Sequence, residues 1–315
     1  MTSREIPAGA EVPPPSLAEV SPGVFAYIQL DGGWGLNNMA FITEGRGVSV
    51  FDATTTEQRT RDLMAAIGKT TDKPVATLIN THSHLDHTFG NCFFGPEVTI
   101  VGHELCREEI LEAGEGMIAG AQGMFPQVEF GDIEIVPPLL TFADELTLHA
   151  GDLRMHLEFV GPAHTTNDIV AWIPERELLI AGDILFNQGT PFAAGGSIIG
   201  WLQTLEEIRE LNAKTFIPGH GPVCGPEVID DVAAYLRFVQ DRARVGFEAG
   251  ATPLELARDT DLGRFSQWLD SERLVGNLHR AYSELRGEAL GTPIDFATMM
   301  GDMVEFNGGP VRCVA

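Results

Sequence analysis

TLINTHSHLDHTFGN, from Thr77 to Asn91, places three histidines and an aspartate directly after an apolar run. The chain has only nine histidines in 315 residues, so three within six positions form a marked concentration. Imidazoles this close together would repel one another if protonated, and they would add nothing to an apolar core. The cluster therefore predicts a metal site behind a buried strand.

The spacing of the cluster divides its side chains between two ions. Alternate residues of an extended segment point the same way, so His82 and His84 can face one ion. Asp86 and His87 come slightly later and can face a second ion displaced from the first. The segment therefore predicts half of a two-metal site.

Three further strand ends carry residues that can bind metal. The segments FVGPAHTTND, LLIAGDILF and FIPGHGP bring His164, Asp183 and His220. Three neutral imidazoles with one open position are typical of a catalytic zinc site, and an aspartate can bridge two ions. Two such ions would hold a hydroxide at neutral pH and polarise a carbonyl or phosphoryl oxygen. We predict two zinc ions, with iron and manganese left open because such ligands accept several metals.

The order of HSHLDH, GPAHTTND, IAGDILF and PGHGP over about residues 23 to 225 resembles the metallo-β-lactamase superfamily. The resemblance implies an α/β fold, an αββα sandwich with its site along one edge. It implies a first metal site of His82, His84 and His164, a second of Asp86, His87 and His220, and a bridging Asp183. The complete set is similar to the glyoxalase-II and lactonase branches, which implies that Asp86 is also catalytic, orienting the hydroxide or acting as general base.

We expect three parts in the chain. A Pro-rich leader spans residues 1–22, a catalytic core spans 23–225, and a helical region at 226–315 packs on the core and over the substrate pocket. The periodicity predicts helices near 55–68 and 199–211 and, among several strands, one at IEIVP, residues 133–137.

Two segments rich in glycine and aromatic residues are predicted to shape the pocket. DGGWGLNN, a predicted flap, brings Trp34 and Asn38, and FNQGTPFAAGGSIIGW brings Phe192 and Trp201. Aromatic side chains in such loops favour flat, apolar partners, so these four residues are the predicted substrate-binding residues.

Composition bounds the partners and the location. The net charge of −25 and the pI of about 4.6 argue against nucleic acid and an anionic membrane surface. No apolar run approaches the ~18 residues that a membrane span needs, and the N-terminus has no signal-peptide pattern. The four scattered cysteines are typical of reduced thiols, so we expect a cytoplasmic protein.

The ligand set predicts an enzyme that hydrolyses an activated acyl group, a thioester or a lactone, through a metal-bound hydroxide. The stretches AYIQLDGGWGLNN, HTFGN and LVGNLHRAYSELRG are similar to actinobacterial superfamily members of aromatic polyketide pathways. This narrower resemblance implies a second-ring cyclase with thioesterase activity, in which zinc polarises a ketone or holds an enolate. The substrate would be a small molecule, free or on an acyl carrier protein, with candidate docking residues Arg107, Arg237, Arg242 and Arg244.

Two alternatives stay open. The first is a glyoxalase-II-like hydroxyacylglutathione hydrolase or a lactonase, although RFVQDRARVG does not match the glutathione-binding pattern. The second is a non-catalytic binding protein that retains the fold, against which the intact ligand set argues. The sequence carries no signal for the oligomeric state.

Overall fold

The computed structural model describes residues 13–315, which form two stacked β-sheets with helices on both outer faces. The first sheet has seven strands in chain order: β1 (Ser16–Ser21), β2 (Val24–Ile28), β3 (Met39–Ile42), β4 (Val48–Phe51), β5 (Val75–Ile79), β6 (Thr99–His103) and β7 (Leu140–Phe142). The second has five: β8 (Glu145–Ala150), β9 (Leu153–Phe159), β10 (Ile169–Ile173), β11 (Leu178–Phe186) and β12 (Thr215–His220).

Each sheet combines antiparallel and parallel pairs. In the first sheet β1 to β4 are antiparallel neighbours, whereas β4 to β7 run parallel. In the second sheet, ordered β12-β11-β10-β9-β8, only the β11–β12 pair is parallel. Parallel strands end at the same edge, so β4 and β5 in one sheet and β11 and β12 in the other deliver loops to one edge of the sandwich.

The helices surround these sheets. They are α1 (Glu57–Thr70), α2 (Leu85–Thr88), α3 (Glu104–Ala113), α4 (Gly116–Met124), α5 (Ile198–Glu210), α6 (Glu227–Ala249), α7 (Pro253–Asp259), α8 (Arg273–Leu285) and α9 (Phe296–Asn307). Polar caps fix several of their starts: Thr56 caps α1, Ser197 caps α5, and Thr252 with Glu255 forms a capping box on α7. Within residues 13–315 no helix combines the length and apolar character needed to cross a membrane.

Three apolar cores separate the layers. Alternate residues of β11 show the pattern: Ile180 packs between the sheets, whereas Leu179 faces the helices beyond the second sheet. On the outer face of the first sheet, Leu63 and Ile67 of α1 pack over its strands. The order of layers is helix, sheet, sheet, helix, which confirms the predicted αββα sandwich with a helical C-terminal part.

Helices α6 to α9 extend the outer layer of the second sheet. Leu236 of α6, Leu278 of α8 and Met303 of α9 belong to the same core as Trp201 and Leu205 of α5. The C-terminal region therefore shares a core with the sheets, and its proposed boundary at residue 225 stays a prediction.

The structure differs from the sequence predictions in three segments. Residues 133–137 form no strand, because Pro137 ends the segment, Pro138 follows it and β7 takes the place beside β6. The carbonyl of Val136 accepts a hydrogen bond from the side-chain amide of Asn91 instead. The predicted leader begins outside the described residues, but its last part is strand β1, paired with β2. Helix α4, rich in glycine and methionine, has a weak helical signal and was not predicted.

Candidate metal centre

Loops from both sheets meet at one edge of the sandwich and bring the predicted ligands together. The loop after β5 carries the histidine cluster, and the loop between β9 and β10 carries His164. Asp183 lies within β11, and His220 ends β12. The seven predicted ligand residues, far apart in sequence, therefore share one site.

These residues form two groups, and within each group the potential donor atoms lie within 4.8 Å of one another. In the first group Nε2 of His164 lies 2.9 Å from Nδ1 of His84 and 3.2 Å from Oδ2 of Asp183. His82 completes this group. This group contains the three histidines that were predicted for the first ion, together with Asp183.

The second group consists of Asp86, His87 and His220. Nε2 of His220 lies 3.4 Å from Oδ2 of Asp86, and Nε2 of His87 lies 3.9 Å from the same oxygen. The three residues predicted for the second ion therefore lie close together, and that ion stays a prediction.

Asp183 lies between the two groups. Its Oδ1 is 3.2 Å from Nε2 of His87, and its Oδ2 is 3.2 Å from Nε2 of His164 and 3.4 Å from Nε2 of His220. One oxygen therefore faces the second group while the other is shared, which is the geometry that a bridging carboxylate needs.

Unpaired donor atoms test whether these residues fit metal ions. Nε2 of His82, Nε2 of His87 and Oδ1 of Asp183 are buried and make no hydrogen bond of suitable geometry, although the last two atoms lie 3.2 Å apart. Buried polar atoms without partners cost free energy, and the chemistry of nitrogen and carboxylate donors suits zinc. The residues present fit a pair of metal ions.

Asp52 follows β4 and contacts the histidine cluster on the side away from the cavity. Its Oδ2 lies 2.9 Å from Nδ1 of His87, and it accepts hydrogen bonds from the backbone N–H and the hydroxyl of Thr81. The Thr81 hydroxyl in turn lies 3.1 Å from Nδ1 of His82. Contacts of this kind fix the ring orientation of metal-binding histidines. Asp52 was not predicted from the sequence, because its only signal is its position at a strand end.

Backbone carbonyls hold two more imidazoles. Nδ1 of His164 lies 2.5 Å from the Phe192 carbonyl oxygen, and Nδ1 of His220 lies 3.0 Å from the Gly32 carbonyl oxygen. Both rings therefore turn Nε2 toward the centre of the site. The same contacts tie the metal centre to the two loops that were predicted to shape the pocket.

Burial and charge give the two groups opposite proton affinities. Burial lowers the pKa of His82 well below its usual value and that of His164 to about 3, which keeps both rings neutral. Burial also acts on His220, but the carboxylates of Asp183 and Asp86 outweigh it and raise its pKa to about 9. Burial would raise the pKa of Asp86, yet the charges of His87 and His220 hold it well below its usual range.

A cavity of about 500 Å³ opens over the two groups. Its floor includes His84, Asp86, His164, Asp183 and His220. Its walls are mainly apolar: Trp34, Leu85, Met117, Ala121, Met124, Phe125, Phe186, Phe192 and Phe296. The cavity combines a polar floor with an apolar body, as is common in small-molecule sites.

Trp34 and Phe192, two of the four predicted substrate residues, line this cavity. Their ring centroids lie 5.2 Å apart in an edge-to-face arrangement. The indole N–H of Trp34 donates to Oε1 of Glu272 at 2.7 Å, so the predicted flap is anchored to the C-terminal region.

The structure does not bring Asn38 or Trp201 to the cavity wall. Asn38 is buried, and its side-chain amide donates to the carbonyls of Pro218 and Gly221, which joins the two loops. Trp201 is fully buried, because its ring packs 5.5 Å from that of His164 and its N–H donates to the Ile184 carbonyl. Both side chains support the site from outside the cavity.

One wall of the cavity, formed by α4 and the start of α8, was not predicted from the sequence. Helix α4 contributes Met117, Ala121 and Met124, and Arg273 at the start of α8 contributes a cation. These residues come from segments without a metal-ligand pattern, so only the tertiary structure brings them to the site.

Comparison with known proteins agrees with this geometry. The sequence profile of the metallo-beta-lactamase superfamily matches residues 32–220. A linear primary-alkylsulfatase from a Pseudomonas species is 23% identical over 69% of this chain, which spans about half (48%) of that relative's length. A type 2 metallo-beta-lactamase from Bacteroides fragilis is 25% identical over 68% of this chain and 82% of the relative.

Solved structures share the fold. A metallo-beta-lactamase from Pontibacter korlensis superimposes with a TM-score of 0.58 over 71% of this chain and 99% of its own, at 18% identity. With the fold, the ordered motifs and the profile match in agreement, this chain belongs to the metallo-beta-lactamase superfamily.

Proposed function

We propose that this member of a superfamily of metal-dependent hydrolases binds two zinc ions and hydrolyses an activated acyl substrate, a thioester or a lactone with an apolar body. The observation that carries the proposal is the apolar cavity directly over the two ligand groups. An apolar acyl group would fill the cavity while its carbonyl reached the polar floor.

Bound at these residues, the ions would lower the pKa of a water molecule and withdraw electrons from the scissile carbonyl. Asp86 lines the cavity, and its low pKa keeps the carboxylate ionised at neutral pH. The ionised carboxylate can accept a hydrogen bond from a water molecule in the cavity and orient it, whereas its low pKa makes it a weak general base. The walls exclude bulk water and orient the acyl group.

The charges around the cavity argue against a glutathione thioester. Among the described residues that line it, Arg273 is the one arginine or lysine, and its guanidinium pairs with Asp270 at 3.0 Å. A glutathione moiety carries two carboxylates that would need cationic partners. The glyoxalase-II-like alternative is accordingly less favoured than a thioester or lactone without such charges.

A narrower form of the proposal is cyclisation of an aromatic polyketide followed by thioester cleavage. The aromatic side chains of Trp34, Phe186 and Phe192 suit a flat polyketone, which supports this form. Docking of an acyl carrier protein gains no support from the candidate arginines. Arg237 and Arg244 pair with Glu206 and Asp241, and none of the four lines the cavity. A free small-molecule substrate is therefore the simpler proposal.

The likeness to an alkylsulfatase favours a second candidate, hydrolysis of an alkyl sulfate ester. The apolar cavity suits an alkyl chain. The sulfate charge, however, would meet Glu109 at the cavity wall, and the one lining arginine already has a partner. These charges rank the acyl ester above the sulfate ester.

A substrate panel tests the proposal with zinc-loaded protein. It contains an aromatic acyl thioester, a medium-chain lactone, a poly-β-keto thioester mimic, S-lactoylglutathione and dodecyl sulfate. We expect turnover of the first two or three compounds and its loss in His84→Ala. Turnover of S-lactoylglutathione alone would replace the apolar acyl substrate with the glyoxalase-II-like alternative. Turnover of dodecyl sulfate alone would replace acyl hydrolysis with sulfate ester hydrolysis. Tight binding without any turnover would favour the binding-protein alternative.

Location and assembly are separate questions. The cytoplasmic location stays a prediction, and cell fractionation with an antibody to the chain would test it. Protein light scattering would measure the oligomeric state.

A further inference from the structure

Arg273 lies at the start of α8, outside the profile-matched segment, and lines the cavity although it is only 2% exposed. Its guanidinium donates to the Thr190 carbonyl at 3.0 Å and pairs with Oδ2 of Asp270 at 3.0 Å. A buried arginine with two anchors has a fixed orientation. The position of this cation in an otherwise apolar wall therefore needs an explanation.

The guanidinium lies between two aromatic side chains of the cavity. Its central carbon is 4.1 Å from the ring centroid of Trp34 and 5.3 Å from that of Phe186. Both distances are within the range of cation–π attraction, which strengthens when the cation is desolvated. Phe186 also stacks on His220 with ring centroids 5.1 Å apart. Arg273 thus links the Trp34 loop to a ring that contacts the metal centre.

Trp34 has few local restraints of its own. It follows Gly33 and precedes Gly35, which has a positive φ of 74°, so its neighbours supply no side chains to hold the indole. Phe125 and Phe192 pack beside the indole, with ring centroids 6.1 and 5.2 Å away. Arg273 covers the ring face, and Glu272 accepts the indole N–H at 2.7 Å. The C-terminal region therefore supplies the charged and hydrogen-bonding restraints on the aromatic wall.

We propose that Arg273 is a specificity-determining positioning residue: by lying between Trp34 and Phe186 and holding the indole in place, it maintains an aromatic wall that selects substrates with a flat aromatic body over flexible alkyl chains. This inference rests on the proposed function, because it names the substrate class of the same cavity. Arg273 acts through Trp34 and takes no part in bond cleavage.

Ligand binding tests the proposal without requiring turnover. Isothermal titration calorimetry would measure the dissociation constants of 2-naphthoate and hexanoate, which mimic an aromatic and an alkyl product acid. The ratio of the two constants is compared in zinc-loaded wild-type protein, Arg273→Met and Arg273→Lys. We expect the naphthoate preference to fall about tenfold in Arg273→Met. The naphthoate preference of Arg273→Lys should lie between those of the wild type and Arg273→Met, because lysine keeps the charge without the planar face.

Arg280 provides a matched control on the same helix. It is 1% exposed and donates to the carbonyls of Ala194 and Thr292, but it does not line the cavity. Arg280→Met should therefore disturb α8 to a similar extent while leaving the naphthoate preference within about twofold of wild type.

The double variant with Trp34→Ala tests whether Arg273 acts through the indole. In that background Arg273→Met should lower the naphthoate preference no further. A full additional loss would overturn the proposal, as would an unchanged preference in either folded Arg273 variant or an equal loss in Arg280→Met. If circular dichroism shows that Arg273→Met is unfolded, Arg273→Lys decides the same comparison.

Failure of the proposed function gives a different result. A wild-type protein that hydrolyses no acyl ester, yet binds naphthoate with the expected dependence on Arg273, would refute the acyl hydrolase proposal alone. Hydrolysis of acyl esters with no dependence of the preference on Arg273 would refute the positioning role alone.

Discussion

The floor and the walls of the cavity are held in different ways. On the floor, strand ends deliver the ligand residues, and Asp52, Thr81 and backbone carbonyls fix the imidazoles from behind. The wall formed by α4 has no side-chain cap at its start, and Ala121 is its one buried residue. The floor therefore has many side-chain and backbone restraints, whereas this wall has few.

This difference between floor and wall corresponds to two tasks, the reaction itself and the choice of substrate. Reacting groups need fixed geometry, because small displacements are costly for catalysis. A wall that admits and retains a substrate benefits from looser packing and low helix propensity. Mutations on the floor should therefore change metal content and rate, and mutations on the walls should change substrate affinity.

The largest expected effect is at the bridging carboxylate. Asp183→Ala should lower zinc content and acyl hydrolysis together, with activity falling about a thousandfold, because it removes a donor shared by both groups. Elemental analysis and initial rates would measure the two quantities. The exposed Asp152→Ala, in the β8–β9 turn, is the control. Two tightly bound ions in Asp183→Ala would refute the bridging role.

Acid should separate the two ions on the floor. Protons compete with metal at His220, whose pKa is raised to about 9, but not at His164, whose pKa is lowered to about 3. As the pH falls from about 9, affinity at the second group should drop at least tenfold per unit, because the pKa of His87 is also raised, while the first group keeps its ion. Zinc titrations at several pH values would measure this. Parallel loss of both ions would contradict the assigned proton affinities.

Trp34→Ala should affect the wall alone. Removing the indole takes a large apolar surface from the cavity, so KM for an aromatic acyl substrate should rise about tenfold with zinc content unchanged. Trp34→Phe should have a smaller effect, since it keeps an aromatic ring and loses only the hydrogen bond to Glu272. Loss of zinc in Trp34→Ala would show that floor and wall are not separate.

The smallest effect should come from stiffening α4. A Cβ at Gly123 would meet no atom within 4 Å, and Gly123 does not line the cavity, so alanine fits there. Gly123→Ala should stabilise the protein by about 0.5–1 kcal/mol and lower kcat about twofold, because a stiffer helix opens less readily.

Gly68→Ala in α1 is the matched control, because its Cβ also meets open space in a helix remote from the cavity. It should stabilise the protein to a similar extent without changing kcat. Thermal melts and initial rates compare the two variants. Equal kcat in both would argue against an adaptable α4.

The sequence predicted the floor far better than the walls. Metal donors must be histidine and carboxylate side chains, so HSHLDH and the three later strand ends are visible in the sequence itself. Walls need only apolar side chains, which are common everywhere in a globular protein. Met117 and Arg273 reach the cavity through packing of α4 and α8, and no local pattern marks them.

Two predicted substrate-binding residues show that sequence position does not determine side-chain direction. Asn38 and Trp201 lie in the segments that were predicted to shape the pocket, yet backbone carbonyls bind their polar groups outside the cavity. A sequence segment near the site indicates proximity, but the direction of each side chain depends on its hydrogen-bond partners. Asp52 was missed for the converse reason, since an isolated aspartate at a strand end has many possible roles.

The proposed chemistry depends on two metal ions at the seven converging residues. A calorimetric titration of chelator-treated protein with zinc at pH 8 would count these ions. We expect saturation at two ions per chain in the wild type, with His84→Ala losing the ion of the first group. Saturation below one ion per chain, or an unchanged stoichiometry in His84→Ala, would contradict it.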